Sequence, residues 1–75
     1  MTVHFSSLGD VREFVSLATL QSYEIQVVDG EHAVNAKSFM EMFTLDFTHP
    51  LAVAIEQGNE SHFAHVARKF LVTNA

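Results

Sequence analysis

Asp29-Gly30 is the feature that most limits the folds open to this chain. An Asp-Gly pair tolerates the positive φ that a tight hairpin turn demands. Before it, Tyr23, Ile25 and Val27 alternate with Glu24 and Gln26; after it, the chain returns through His32-Ala33-Val34-Asn35-Ala36. Period-two alternation broken by such a turn predicts a β-hairpin with one apolar face. Two strands are at best marginal alone in water, so the remaining chain must supply more strands and a cover for that face.

Both can be read on either side of the hairpin. Val3 and Phe5 alternate within Thr2-Val3-His4-Phe5-Ser6, a short half-buried strand, and Ser7-Leu8-Gly9-Asp10 turns the chain. Val11, Phe14, Val15 and Ala18 follow the i, i+3, i+4, i+7 rule, predicting a helix over roughly Val11 to Leu20. Asp10 is expected to cap it, with Glu13 three residues on completing a capping box. Ser38 with Glu41 has the same form and opens a helix of no more than two turns, Phe39 to Phe43. Leu51-Ala52-Val53-Ala54-Ile55 reads as a central strand covered by helices on one face, closed by Gly58-Asn59. The last helix gathers Phe63, Val66, Ala67, Phe70 and Leu71 on one stripe, with Glu60 in its first turn and Arg68 and Lys69 near its end, in accord with the macrodipole. The order is β-α-β-β-α-β-α, an α+β plan with three helices over one face of a four-stranded antiparallel sheet.

Bulk properties narrow the function. At 75 residues the chain is expected to be one domain, 1–75, in a size class that buries only about 60% of its unfolded surface. With 48% hydrophobic residues it is too apolar for disorder. No run is long enough to span a membrane and no leader is expected, so cytoplasmic localisation is the expectation. Zero Cys excludes a disulfide framework, thiol catalysis and thiolate zinc. Nine acids against four bases give a net charge of −5, the wrong sign for a nucleic-acid partner.

The stretch from Val27 to Leu45, centred on Asn35-Ala36-Lys37-Ser38, together with the element order, resembles the HPr phosphocarrier family of the sugar phosphotransferase system. More loosely, the likeness covers roughly residues 11 to 72. It implies an HPr-like open-faced β-sandwich and a role in relaying phosphoryl groups between enzyme I and sugar transport proteins. That role needs a His followed two residues later by Arg and then Pro at the start of the first helix. There, an imidazole carries the phosphoryl group while helix amides and the arginine stabilise its charge. Here the corresponding segment is Ser7-Leu8-Gly9-Asp10-Val11, with no His and no Pro, and no Arg before Arg12. Asp10 places a carboxylate where the phosphoryl group should sit. His4, the nearest upstream histidine, falls inside the first strand. The chain therefore reads as a relative that does not carry phosphate on histidine and has no enzymatic activity.

Ser38 matches the family serine that an HPr kinase phosphorylates, and a phosphate there would meet a helix N-terminus. It equally reads as a helix cap whose hydroxyl accepts an amide hydrogen bond, with Glu41 completing the box and repelling an added phosphate. Phe39, Met40 and Phe43 match positions that the family presents to partners; Met42 and Leu45 are expected to point inward. Expected partners are proteins of the phosphotransferase system or its regulators: enzyme I, the kinase or a transcriptional regulator. His62 and His65 are three apart on the last helix, but no third ligand accompanies them. They read as solvated residues, with no metal and no cofactor expected. Two alternatives stay open: a ferredoxin-like, ACT-type small-molecule module with Gly9 at its first turn, and a true carrier using an unorthodox histidine.

Overall fold

Twelve residues with one apolar stripe form the longest element, helix α1 (Leu8–Thr19), which buries Val11, Phe14, Val15 and Ala18. The computed structural model describes residues 1–72. Helix α1 begins a turn earlier than its stripe suggests. Ser7, not Asp10, is the N-cap: its backbone is extended and its hydroxyl accepts the Asp10 amide at 3.2 Å. Asp10 lies inside the first turn and reaches back to accept the Ser6 amide at 2.9 Å. The cap is thus Ser7 with Asp10, three residues N-terminal to the expected Asp10 with Glu13, and the Asp10 carboxylate takes the amide before the cap, not that of the cap itself. Leu8 and Gly9 resemble a turn in sequence because Leu8 faces solvent.

Strand β1 (Thr2–Val3) is followed after α1 by β2 (Ile25–Asp29), β3 (His32–Asn35), helix α2 (Phe39–Met42), β4 (Leu51–Ile55) and helix α3 (Glu60–Val66). The sheet runs β1-β4-β2-β3, every neighbouring pair antiparallel. Asp29 pairs with His32 across a two-residue turn in which Gly30 has φ +62°. Glycine at the first central position, with a negative φ after it, is the pattern of a II′ turn, whose twist matches that of the strands. Strand β4 is central, as its apolar run predicts: Leu51 and Val53 face the core, while Ala52 and Ala54 face outward.

The helices cover one face of the sheet. Val3, Ile25, Val27, Val34, Leu51 and Val53 meet α1, Met42, Leu45, Phe63 and Phe70 in one apolar core. Phe14 is fully buried at its centre, edge to face with Phe5 (5.0 Å between centroids), Phe63 (5.6 Å) and Phe70 (5.9 Å). Aromatic quadrupoles favour such tilted contacts. The opposite face carries Gln26, Val28, Ala33, Asn35, Ala52 and Ala54, and among the described residues no helix covers it.

The final helix is shorter than expected. It ends at Val66, passes through a 3-10 turn (Arg68–Phe70), and Leu71 is extended. Leu71 bridges Val3, the His4 amide donates to the Phe70 carbonyl (2.9 Å), and the Val72 amide donates to the Thr2 carbonyl (2.9 Å). Pairing along the free edge of β1 satisfies backbone groups that would otherwise face solvent, and this outweighs the helical periodicity of Leu71.

Candidate functional site

The turn from β3 into α2 is fixed by backbone and side-chain hydrogen bonds. Asn35 Oδ1 accepts the Lys37 amide (2.9 Å), and the Asn35 carbonyl accepts the Ser38 amide (3.0 Å). Lys37 Nζ donates to the Gln21 carbonyl (2.7 Å), just beyond the C-terminal end of α1. Ser38 Oγ accepts the Glu41 amide (3.2 Å), and its backbone carbonyl accepts the Met42 amide (3.1 Å). Glu41 does not return its carboxylate to Ser38. Its Oε1 accepts the Asn35 amide (3.2 Å), which closes the end of the outer edge of β3.

With its first turn held in this way, α2 is anchored by fully buried Met42, followed by Leu45, also buried. The opposite side carries apolar groups into solvent. Met40 is 82% exposed and Phe43 48%. Phe39 is half-buried against the core, with its ring 4.5 Å from that of Phe43 in an edge contact. The Arg12 guanidinium from α1 lies 5.6 Å from the Phe39 centroid, within the range of a cation–π contact. Ser38, Phe39, Met40 and Phe43 therefore form one surface: a hydroxyl at the helix start, an apolar ridge beside it, and a cation at its rim.

The N-terminus of α1 is arranged differently. The Ser6 and Asp10 amides are already held by the Asp10 carboxylate and the Ser7 hydroxyl. His4 is exposed just beyond β1. Gly9 lies within α1, not in a turn, and the three helices differ in length, with twelve, four and seven residues. Both features depart from the two matched helices and glycine turn of the ferredoxin-like alternative.

The remaining histidines have defined surroundings. The buried Tyr23 hydroxyl lies 2.8 Å from Nδ1 of His62, so His62 is more than a solvated helix residue. Burial raises the Tyr23 pKa above its ordinary value, so the phenol keeps its proton at neutral pH. His32 Nε2 lies 2.8 Å from Thr44 Oγ1, which donates its own proton to the Glu41 carbonyl (2.7 Å). His49 Nε2 lies 3.5 Å from Asp29 Oδ1 and 3.7 Å from Asp46 Oδ2, while Nδ1 is 2.9 Å from the Pro50 carbonyl. Those acceptors, the carbonyl foremost, raise the His49 pKa above 6.5. Hydrogen bonds from the Thr48 hydroxyl and amide lower the Asp46 pKa below 3.8. Sequence reasoning missed the His49 group. Its one local signal is Asp46 three residues before His49, whereas Asp29 arrives only through the fold.

A shallow cleft of about 310 Å³ is lined by Glu24, Ile25, Gln26, Asn35 and Lys37. Two of its polar groups are already engaged, Asn35 Oδ1 with the Lys37 amide and Lys37 Nζ with the Gln21 carbonyl. Among the described residues no three His, Asp or Glu side chains are arranged to hold a metal ion.

The selenomethionyl form of Crh, the catabolite repression containing protein of Bacillus subtilis, superposes on this chain with a TM-score of 0.64. The match covers 96% of this chain and 90% of that one, at 18% sequence identity. The fold is HPr-like. Helices α1 and α2 pack against each other on the helical layer, while the alanine-bearing face of the sheet lies opposite. No protein-family model matches the sequence, and no curated protein matches it. Among the described residues no helix is long and apolar enough to cross a membrane.

Proposed function

We propose that this chain is a non-enzymatic, HPr-like relative of the phosphotransferase system that works by docking a protein partner on Phe39, Met40 and Phe43. Phosphorylation of Ser38 regulates the docking, and no histidine carries phosphate. The observation that carries the reading is the pairing of a strongly exposed Met40 and Phe43 with a serine that caps the same short helix. Apolar side chains held outward on an anchored helix suit an adaptable protein interface. A phosphate on Ser38 would change the charge beside that ridge, replace the hydroxyl that accepts the Glu41 amide and repel the nearby Glu41 carboxylate.

Loss of the carrier step is supported at α1. Two N-terminal donors suited to an anion are occupied by Asp10 and Ser7, and no histidine stands in the Ser7-Leu8-Gly9-Asp10-Val11 segment. The partner class is an HPr-recognising protein: enzyme I, the serine kinase or a transcriptional regulator, in the cytoplasm.

Two incubations test the proposal. The protein is mixed with enzyme I and phosphoenolpyruvate, and separately with HPr kinase and ATP, and phosphate is located by mass spectrometry. Acid-stable label that disappears in Ser38→Ala, without label on histidine, is the expected result. Acid-labile label on any histidine overturns the carrier claim; absence of label from the kinase reaction overturns the regulatory one. Met40→Asp is expected to abolish partner capture without unfolding the protein, and unchanged capture would remove the patch from the proposal.

A further inference from the structure

His49 is surrounded by acceptors. Nδ1 faces the Pro50 carbonyl at 2.9 Å; Nε2 faces the Asp29 and Asp46 carboxylates at 3.5 and 3.7 Å. A neutral imidazole has one N–H. With that proton on Nδ1, the Nε2 lone pair points at two carboxylates; with it on Nε2, the Nδ1 lone pair points at a carbonyl. Only the imidazolium satisfies both sides. We propose that protonated His49 is a strap that holds the segment Asp46–His49 against the β2–β3 hairpin turn, and that its deprotonation releases this segment.

The fold makes the release local. The titratable groups facing His49 are Asp29 from β2 and Asp46 from its own segment. His32 on β3 turns instead to Thr44. The Thr44 hydroxyl also reaches the Glu41 carbonyl, so Thr44 is tied both to the hairpin and to α2. Beyond Thr44, buried Leu45 keeps its place in the core. The segment that changes carries Phe47, a half-buried ring 6.0 Å from that of Phe5 at the edge of the core. Once His49 is neutral, two carboxylates face each other without the cation that joined them, on a protein of net charge −5. The strap thus couples the seating of Phe47 to the protonation of His49, whose pKa lies above 6.5, independently of any partner at Met40.

Histidine-ring and aromatic NMR signals of the full chain, followed from pH 5 to pH 9, test this. The His49 ring is expected to titrate above 6.5 and to move down towards that value in Asp29→Asn and in Asp46→Asn. Phe47 ring and Thr48 amide signals are expected to shift with the His49 midpoint and to lose that transition in His49→Gln. A His49 midpoint at or below 6.5, or a Phe47 transition unchanged in His49→Gln, overturns the strap. If His49→Gln does not fold, Asp29→Asn decides: an unmoved His49 midpoint overturns the proposal, and a lowered midpoint that the Phe47 signals follow supports it.

Discussion

Phe14 joins separate parts of the chain in the centre of the core. It is fully buried, it comes from the longest helix, and it touches aromatic rings from the first loop, from α3 and from the closing 3-10 turn. Truncating a buried Phe to Ala removes about 3–5 kcal/mol through lost burial and an unfilled cavity. Small domains have total stabilities of roughly 5–15 kcal/mol, and a domain of this size belongs near the low end. Phe14→Ala is therefore expected to leave a population unfolded at 25 °C that urea titration detects, while Phe14→Leu remains cooperatively folded with a lower midpoint. Met40 gives the contrasting case. Its side chain stands in solvent, so its replacement should leave the urea midpoint almost unchanged and be felt only by a partner.

Helix α2 has only four residues, too few for helix propensity to sustain it. Its conformation is imposed by the Ser38 cap, the Glu41–Asn35 contact and the buried Met42. Ser38→Ala should cost about 1 kcal/mol, as removal of a serine cap generally does. Ser38→Asp should restore most of this, because aspartate caps as well as serine. Equal stabilities for the three proteins in urea titration would show that the cap does not hold α2 in place. Elements whose determinants are local could be read from sequence. The Asp29-Gly30 hairpin, the inner stripe of α1, the Ser38 cap and the apolar run of β4 all depend on residues within a few positions of one another. Elements settled by distant partners could not. The start of α1 at Leu8 is the exception, a local cap of the Asp10 amide by the Ser7 hydroxyl that outward-facing Leu8 and turn-like Gly9 conceal. Helix α3 stops at Val66 because the chain ahead of it pairs with β1. The His49 group needed Asp29, which the fold brings from β2.

For the molecule as a whole, the two shifted groups near the hairpin turn act on stability from opposite sides. His49 has a folded pKa raised above 6.5, so its contribution is complete below that value and is lost as pH rises through the folded pKa. Asp46 has a folded pKa lowered below 3.8, so its contribution is present above that value and is lost as pH falls through the folded pKa. The melting temperature followed by circular dichroism is accordingly expected to be highest between these limits and to decline on both sides. In His49→Gln the alkaline decline should flatten while the acid one persists; an unchanged alkaline limb would show that His49 does not link protonation to folding. The position of β1 has a different consequence. Its two residues pair on one side with Leu51 and Ala52 of β4, and Val3 bridges Leu71 on the other, so both sets of contacts are distant in sequence. Such contacts carry the largest loop-closure entropy in the chain, whereas the β2–β3 hairpin closes over two residues. The sheet is thus expected to assemble from the hairpin outward, with β4 added next and β1 last, so the strand that comes first of these four in the sequence is the last to be placed.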